Sequence, residues 1–249
     1  MPRSRRVLVA GGTSGFGAAI VTRLCGCGDR VVFTGRDVER GRGLTAATGA
    51  AFAPCADLDA AAIDRLLHQA REGFGGLDGL VITVEARPVG RLSETTDETW
   101  DAVLDANLTA AFLLARDSLT LFGEQGGAIV TIASATAQWP DVELGAYSVS
   151  KRALEHLSRM LAVEGATKNI RVNCVLPGEV AVASGTAAGH PVRDSGEAPI
   201  PPLGRSLRPE DVAAAVEFFL GAEAAFCAGA SLVVDGGLGA ALRASRVRQ

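Results

Sequence analysis

Apolar runs typical of β-strands alternate with amphipathic segments along the whole chain. Within the amphipathic segments, apolar side chains recur every three or four residues, as Ile63, Leu66 and Ala70 do. The apolar runs predict strands at residues 6–10, 30–34, 50–54, 79–84, 128–133, 170–176 and 231–234. The segments between them predict helices at residues 15–27, 38–48, 60–74, 97–122, 147–167 and 209–220.

This alternation predicts an α/β protein with a doubly wound, parallel sheet of seven strands and helices on both faces. Strands in such a sheet are buried on both sides, so they read as continuous apolar runs. No linker or repeat divides the chain, and right-handed crossovers then give one Rossmann-type domain over residues 1–249. Residues 181–207, rich in Gly, Ser and Pro, are expected to form a substrate lid over the ligand crevice.

Composition narrows the class of protein only slightly. Hydrophobic residues make up 48% of the 249, enough for one large core. A net charge of -4 gives no reason to expect a nucleic-acid partner, and no apolar run is long enough for a membrane span. The five cysteines include no CxxC pair, which favours reduced thiols in a cytoplasmic protein. With only three scattered histidines, no metal site is expected.

A glycine-rich turn, AGGTSGFG, follows the first strand at residues 10–17. Gly11 permits a tight turn, Gly15 lets a pyrophosphate approach the backbone, and Gly17 lets the next helix pack against the sheet. The phosphates would lie against free N–H groups at the start of that helix, at the positive end of its dipole. The turn predicts a dinucleotide site that also includes Thr13, Ser14 and Phe16.

The end of the second strand bears on the choice between NAD and NADP. A carboxylate there would bind the adenosine ribose hydroxyls and favour NAD, but the position is Gly35, followed by Arg36. Because a guanidinium can pair with a 2′-phosphate, Arg36 predicts NADP(H) over NAD(H), and the nearby Asp37 opposes that preference. Beyond the third strand, Asp57 and Leu58 are candidates to contact the adenine. Asp57 is nearly as well explained as the N-cap of the next helix.

The only tyrosine, Tyr147, precedes one of only two lysines, Lys151, by four residues. On a helix, residues four apart share a face, so the ammonium would lie near the phenol and lower its pKa. A tyrosine tuned in this way can exchange a proton with an alcohol or ketone oxygen near neutral pH. The alternative is an ordinary pair of residues on a helix surface.

With the turn and the Tyr147-x-x-x-Lys151 spacing both in place, the chain resembles the short-chain dehydrogenase/reductase family, particularly members similar to 3-oxoacyl-carrier-protein reductases. The resemblance covers residues 6–239. It implies that Ser134 hydrogen-bonds the substrate oxygen and that Tyr147 is the general acid in reduction and the general base in oxidation. It also implies that Tyr147 and Lys151 contact the bound cofactor, Lys151 through the nicotinamide ribose, and that Asn107 holds a water of a proton relay through its helix backbone. Pro177, Gly178 and the backbone at Val180 would contact the nicotinamide.

Two positions depart from the family pattern. The family usually reads Asn-Asn-Ala-Gly after the fourth strand, whereas this chain reads Ile82-Thr83-Val84-Glu85. Glu85 adds a side chain and a charge where the backbone must approach the cofactor, and Thr83 could restore part of the lost hydrogen bonding. Three interpretations stay open: a rebuilt loop with normal activity, altered cofactor binding, or a fold kept for binding after catalysis is lost. The second departure is Val182, where the family often has a threonine that grips the carboxamide.

The residues between the serine and the tyrosine are expected to line one wall of the substrate pocket. They include Gln138, Trp139, Val142 and Glu143, and they suit a medium-sized, partly apolar ketone or alcohol. The substrate is a small molecule, either free or linked to a carrier protein. The resemblance further implies a homotetramer or homodimer built from the two long helices.

These observations favour an NADP(H)-dependent oxidoreductase that interconverts a ketone and a secondary alcohol. The alternative is a catalytically impaired dinucleotide-binding protein that acts as a sensor or assembly partner. Residues 82–85 are the one feature that favours the alternative.

Overall fold

Seven parallel strands form one continuous sheet in the computed structural model, which describes residues 4–178 and 201–241. The strands are β1 (Arg6–Ala10), β2 (Arg30–Gly35), β3 (Ala51–Pro54), β4 (Gly79–Ile82), β5 (Gly127–Ile132), β6 (Ile170–Pro177) and β7 (Ser231–Val234). Across the sheet they lie in the order β3-β2-β1-β4-β5-β6-β7. The predicted α/β fold with a doubly wound parallel sheet is confirmed.

Helices cover both faces of the sheet. They are α1 (Gly15–Gly26), α2 (Val38–Thr48), α3 (Ala60–Phe74), α4 (Asp97–Leu104), α5 (Ala110–Ser118), α6 (Gly145–Gly165) and α7 (Pro209–Leu220). The first, second and last pack on one face, and α3, α5 and α6 pack on the other. Each face therefore has its own hydrophobic core.

The first strand shows why the apolar runs are continuous. Successive side chains of a strand point to opposite faces of the sheet. Leu8 and Ala10 join the core beneath α3, α5 and α6, whereas Val7 and Val9 join the core beneath α1 and α7. All four are fully buried, and burying a side chain of valine or leucine size contributes roughly 1.5–3 kcal/mol.

The strand order places a crevice between β1 and β4. The chain winds from β1 outward through β2 to β3 and then returns to β4 on the other side of β1. The segments that leave β1 and β4 therefore diverge at the carboxyl ends of these strands. Such a switch point is where open α/β sheets bind ligands.

The long helix predicted at residues 97–122 is wrong in its middle and at its end. A π-helical turn, Asp105–Thr109, separates α4 from α5, and α5 ends at Ser118. The Ser118 hydroxyl donates to the carbonyl oxygen of Ala115, and the Leu121 carbonyl accepts from the Leu77 amide, so the chain turns back toward the sheet. Neither feature alters the apolar periodicity, which explains why the pattern suggested one helix.

Smaller differences lie at the site. The strand predicted at residues 79–84 ends at Ile82, and the helix predicted at residues 147–167 covers Gly145–Gly165. Of the predicted lid, residues 181–200 lie outside the described residues. Within residues 4–178 and 201–241, no helix combines the length and hydropathy needed to cross a membrane.

Candidate active site

The glycine-rich turn joins β1 to α1 at the crevice. Gly11 has a φ of 94°, which disfavours any other residue, and a Cβ there would lie 2.7 Å from the Thr83 hydroxyl. Ser14 caps α1, its hydroxyl accepting from the Gly17 amide at 3.3 Å. A Cβ on Gly17 would overlap the carbonyl oxygen of Gly11, so this glycine allows the helix to pack against the turn.

The same turn leaves backbone donors and space for an anion. The amides of Gly15 and Phe16 are in the first turn of α1, where helix geometry provides no acceptor. Gly15 is exposed, and a Cβ on it would meet no atom within 4 Å. A pyrophosphate could therefore approach these amides, and the residues present fit the phosphate portion of a dinucleotide.

A cavity of about 710 Å³ extends from this turn. Its walls include Thr13 and Ser14 of the turn, Arg36 after β2, Asp57 after β3 and Glu85 after β4. Residues of α4, the π turn and α5 close its floor. The cavity thus joins the predicted adenosine residues to the segment that departs from the family pattern.

The position that would carry an NAD-selective carboxylate has no room for one. A Cβ on Gly35 would overlap the side chain of Thr13. Arg36 is exposed on the cavity wall. Asp37 is engaged elsewhere: it caps α2 by accepting from the Arg40 amide at 3.0 Å and pairs with the Arg40 guanidinium at 3.2 Å. Arg40 also lines the cavity, and its place four residues after Arg36 was a signal that the sequence offered.

The adenine contacts predicted for Asp57 and Leu58 lie on the cavity wall as well. The alternative interpretation of Asp57 as a helix cap is wrong, because Asp59 caps α3 and accepts from the Ala62 amide at 2.7 Å. Leu58 is half-buried against the core. The Asp57 carboxylate is exposed and remains a candidate contact for the base.

At the other end of the cavity, Glu85 lies between the tyrosine and the lysine. The Tyr147 hydroxyl donates to Oε2 of Glu85 at 3.0 Å, and Nζ of Lys151 lies 3.2 Å from the same oxygen. Lys151 is fully buried and also donates to the carbonyl oxygen of Ile132 at 3.0 Å. The two residues do share a face of α6, with Nζ 5.5 Å from the centre of the phenol ring.

Glu85 changes the electrostatics of the phenol. Burial raises the pKa of Tyr147 well above that of an ordinary tyrosine, and the charge of Glu85 raises it further. Arg87 and hydrogen bonding with Ser134 lower that pKa only in part. The pKa of Tyr147 is therefore raised in this structure, first by burial and then by Glu85, whereas the Tyr147-x-x-x-Lys151 spacing alone suggested a lowered pKa.

Ser134 follows β5 and is nearly buried, with 9% of its surface exposed. Its hydroxyl oxygen accepts from the amide and the hydroxyl of Thr136, at 3.2 and 3.0 Å. A serine that accepts two hydrogen bonds still has its own proton to donate. The structure therefore leaves Ser134 able to donate to a substrate oxygen.

Asn107 lies in the π turn and is fully buried. Its side chain accepts from the Ala86 amide at 2.6 Å, donates to the Ala86 carbonyl at 2.9 Å and donates to the Ser150 hydroxyl at 2.9 Å. Ser150 in turn donates to the backbone carbonyl of Tyr147 at 2.7 Å. Asn107 thus ties the segment after β4 to the helix that carries the tyrosine.

Two anchors orient Glu85. On one side of it, the Thr83 hydroxyl donates to the Gly11 carbonyl at 3.1 Å, so Thr83 does supply part of the missing hydrogen bonding. On the other side, the Asn107 side chain holds both backbone groups of Ala86. The sequence could flag Glu85 as a departure, but its contact with Tyr147 depends on these anchors.

The remaining predicted residues are only partly described. Pro177 ends β6, and the Gly178 amide donates to the Val234 carbonyl at 2.8 Å. Val180 and Val182 lie outside the described residues. Trp139 packs against Gly239, where a Cβ would lie 2.7 Å from the indole, which favours the packing interpretation of this side chain.

Sequence and structure comparisons give one consistent result. A family model described as Enoyl-(Acyl carrier protein) reductase matches residues 10–239. Dehydrogenase/reductase SDR family member 2, mitochondrial, from Homo sapiens is 39% identical over 181 residues, which are 70% of this chain and 65% of that protein. Dehydrogenase/reductase SDR family member 4 from Bos taurus is 34% identical over 242 residues, covering 92% and 85%. A double mutant of a Serratia marcescens short-chain dehydrogenase/reductase superposes with a TM-score of 0.84 at 31% identity, over 96% of this chain and 99% of that one.

Proposed function

The chain belongs to the short-chain dehydrogenase/reductase family, whose oxidoreductases bind NAD(P), and from this membership we propose that it is an NADP(H)-dependent enzyme that interconverts a ketone and a secondary alcohol. The observation that carries the proposal is the meeting of the only tyrosine with a buried lysine and a serine at the carboxyl end of β5. The hydroxyl of Tyr147, near these two side chains, can donate a proton to a substrate oxygen or accept one from it.

The site's own residues would handle the substrate oxygen and the proton. Ser134 and Tyr147 would donate to the ketone oxygen, and the Tyr147 proton would move to it as negative charge develops. Bound nicotinamide would supply the hydride in reduction and accept it in oxidation. Lys151 would stabilise the phenolate left after proton transfer, and Asn107 would position Ala86 and α6.

The preference for NADP(H) rests on the cavity wall after β2. Arg36 is exposed there, just before the start of α2, and Arg40 lies in the first turn of α2. A guanidinium can hold a phosphate through two parallel hydrogen bonds, an interaction that NAD(H) lacks. Because Asp37 is occupied by Arg40 and the start of α2, it offers weak opposition to a 2′-phosphate.

A second function is favoured by one observation at the other end of the cavity, around Glu85. The Lys151 ammonium, assigned to the nicotinamide ribose by the resemblance, is shared between Glu85 and the Ile132 carbonyl. Lysine has three donors, so one is left for a ribose hydroxyl unless the carboxylate moves. If one remaining donor does not hold the ribose in place for hydride transfer, the protein would bind the dinucleotide without turnover and act as a sensor or assembly partner.

We also propose a homodimer or homotetramer that buries the outer face of α6. Val149, Met160 and Val163 are 40%, 50% and 74% exposed at helical spacing, and Phe112 of α5 is 39% exposed. Apolar side chains in a stripe of this kind are typical of a surface that packs against another chain. The substrate is a small ketone or alcohol, free or attached to a carrier protein.

Cofactor titration tests the proposal first. Purified protein is titrated with NADPH and with NADH while the nicotinamide fluorescence is followed. We expect tight binding of NADPH and weaker binding of NADH, followed by oxidation of NADPH with at least one member of a ketone panel. Binding without turnover on any ketone would favour the second function, and no binding of either dinucleotide would refute both.

A further inference from the structure

Glu85 adds an ionisable group to a site that already contains a phenol and an ammonium. A single carboxylate oxygen, Oε2, accepts from the Tyr147 hydroxyl at 3.0 Å and lies 3.2 Å from Nζ of Lys151. The side chain is 30% exposed, and the residue lines the cavity. The carboxylate therefore contacts both reactive groups and also reaches the space where a ligand would bind.

The position of this carboxylate is built into the fold. The Thr83 hydroxyl anchors the segment to Gly11, and the Asn107 side chain holds the amide and the carbonyl of Ala86. With the backbone held on both sides, the Cα of Glu85 is kept within reach of the tyrosine. The contact depends on these hydrogen bonds to partly buried backbone groups.

Four groups determine the charge around the phenol. Lys151 approaches from α6, and Arg87, from the same segment as Glu85, lies with its guanidinium carbon 5.6 Å from the centre of the phenol ring. Ser134 approaches from the end of β5 and is neutral. Glu85 is the one negative group among these contacts. An anionic neighbour opposes ionisation of a phenol, whereas the two cations favour it.

We propose that Glu85 is a positioning residue that orients the Tyr147 hydroxyl by accepting its hydrogen bond and opposes its ionisation. The inference rests on the proposed function, in which Tyr147 gives its proton to the ketone oxygen. In that step the ketone carbon gains a hydride from bound NADPH, which becomes NADP⁺. The phenolic O–H bond breaks as the carbonyl oxygen gains the proton, and solvent later restores the proton to Tyr147.

Glu85 should change the pH ranges over which ketone reduction and alcohol oxidation proceed. It cannot change the equilibrium between ketone and alcohol, because no enzyme does so. Reduction uses the phenol and therefore keeps its proton donor well into the alkaline range. Oxidation uses the phenolate and therefore rises with pH until the phenol has ionised. Replacing Glu85 with a neutral residue should lower the pH at which reduction loses its proton donor and the pH at which oxidation stops rising.

The single tyrosine allows a direct test that needs no cofactor and no turnover. The tyrosinate ultraviolet absorbance of the purified protein is recorded against pH, so the midpoint reports Tyr147 alone. Glu85→Gln keeps the size of the side chain and removes its charge, and its midpoint should fall by about one pH unit or more. Glu124→Gln, at an exposed carboxylate after α5, should leave the midpoint unchanged.

Glu85→Gly serves as a second variant in case the glutamine variant does not fold, which circular dichroism at neutral pH will show. It should shift the midpoint in the same direction. A midpoint that is unchanged or higher in the folded variants would overturn the proposal.

The pH dependence of alcohol oxidation then separates this proposal from the proposed function. The limb that rises with pH should move with the absorbance midpoint in the Glu85 variants. A shifted midpoint with an unshifted limb would show that Tyr147 is not the base, which overturns the link between Glu85 and the reaction. A shifted midpoint in a protein that turns over no substrate would refute the proposed function and leave the electrostatic role of Glu85 standing.

Discussion

The two ends of the cavity solve different physical problems. The glycine end, residues 11–17, accommodates an anion with backbone amides and with space that side chains would fill. The carboxylate end, around Glu85, brings charged side chains into contact: one carboxylate oxygen touches a phenol and an ammonium. The comparison teaches that one fold can keep the glycine-rich turn of its family while a single departing residue, Glu85, changes the contacts of the tyrosine beside it.

The ends also differ in what would disturb them. At the glycine end, adding a methyl group to Gly17 creates an overlap with the backbone of Gly11 that no side-chain movement can relieve. At the carboxylate end, a change of charge at constant size leaves the packing intact and acts through ionisation. Substitutions at the glycine end should therefore alter stability and binding at any pH, whereas those at the carboxylate end should alter rate and the pH dependence of rate and stability.

Removal of the Tyr147 hydroxyl should have the largest effect. Tyr147→Phe should lower kcat for ketone reduction by about a thousandfold, since positioned proton transfer contributes roughly 10²–10⁴-fold. NADPH affinity should be unchanged, because the glycine end is untouched. Steady-state kinetics and fluorescence titration measure the two quantities. If NADPH affinity fell together with kcat, NADPH binding at the glycine end would depend on the tyrosine at the carboxylate end.

Substitution of Gly17 should break the glycine end. Gly17→Ala should lower the free energy of unfolding by roughly 2–3 kcal/mol, because the new methyl overlaps the Gly11 carbonyl and displaces α1. Gly26→Ala is a matched control in the same helix, since a Cβ there meets no atom within 4 Å, and it should be neutral or slightly stabilising. Urea denaturation compares them. Equal stability of the two variants would contradict the packing described for Gly17.

Charge removal at Arg36 should sharpen the cofactor assignment. Arg36→Gln should raise the Kd for NADPH about tenfold and leave the Kd for NADH unchanged, since a charged hydrogen bond to the 2′-phosphate is lost. Arg42→Gln, at an exposed position further along α2, should change neither. An equal loss of affinity for both dinucleotides would show that Arg36 does not distinguish them.

The smallest effect expected is on acid stability at the carboxylate end. Burial alone would raise the pKa of Glu85, but attraction to Lys151 and hydrogen bonds from Lys151 and Tyr147 outweigh it, so that the pKa is lowered. A carboxyl group of this kind adds stability above its unfolded pKa and loses it as pH falls through the folded pKa.

The wild type should therefore exceed Glu85→Gln in unfolding free energy by about 1 kcal/mol at neutral pH, and the excess should shrink below about pH 4. Chemical denaturation at both pH values measures it. An excess that does not depend on pH would mean that the ion pair adds no stability.

Much of the fold was predictable because its signals are local. The inner strands β1, β4, β5 and β6 carry apolar runs typical of positions buried on both faces, and the turn at residues 11–17 depends on glycine conformation and space. The right-handedness of the crossovers then accounts for helices on both faces of the sheet. The π turn was not predictable from local pattern, and the residue within it that contacts the segment after β4, Asn107, pairs with Ala86 at a distance of 21 residues in the chain.

The sequence was enough to name the candidate site residues, but it did not predict which of their side chains contact one another. Spacing was enough to place Tyr147 and Lys151 on one face of a helix, and the site residues Ser134 and Asn107 followed from resemblance. The partner of the phenol was not predictable, because Glu85 is 62 residues away in the chain and reaches Tyr147 only through two anchors in tertiary structure. The sign of the Tyr147 pKa shift therefore required the fold.

The π turn determines how the helix and the site would respond to a deletion of one residue. A π turn contains one residue more than an α turn, so Asp105–Thr109 is equivalent to a one-codon insertion in a continuous helix. An α-helix rotates about 100° per residue, so an in-frame deletion of one codon there would restore a regular helix and turn Asn107 away from Ala86 and Ser150. The helix would tolerate such a deletion and the site would not. A gap at this place in a relative's sequence would mark a chain in which the segment after β4 is held by other means.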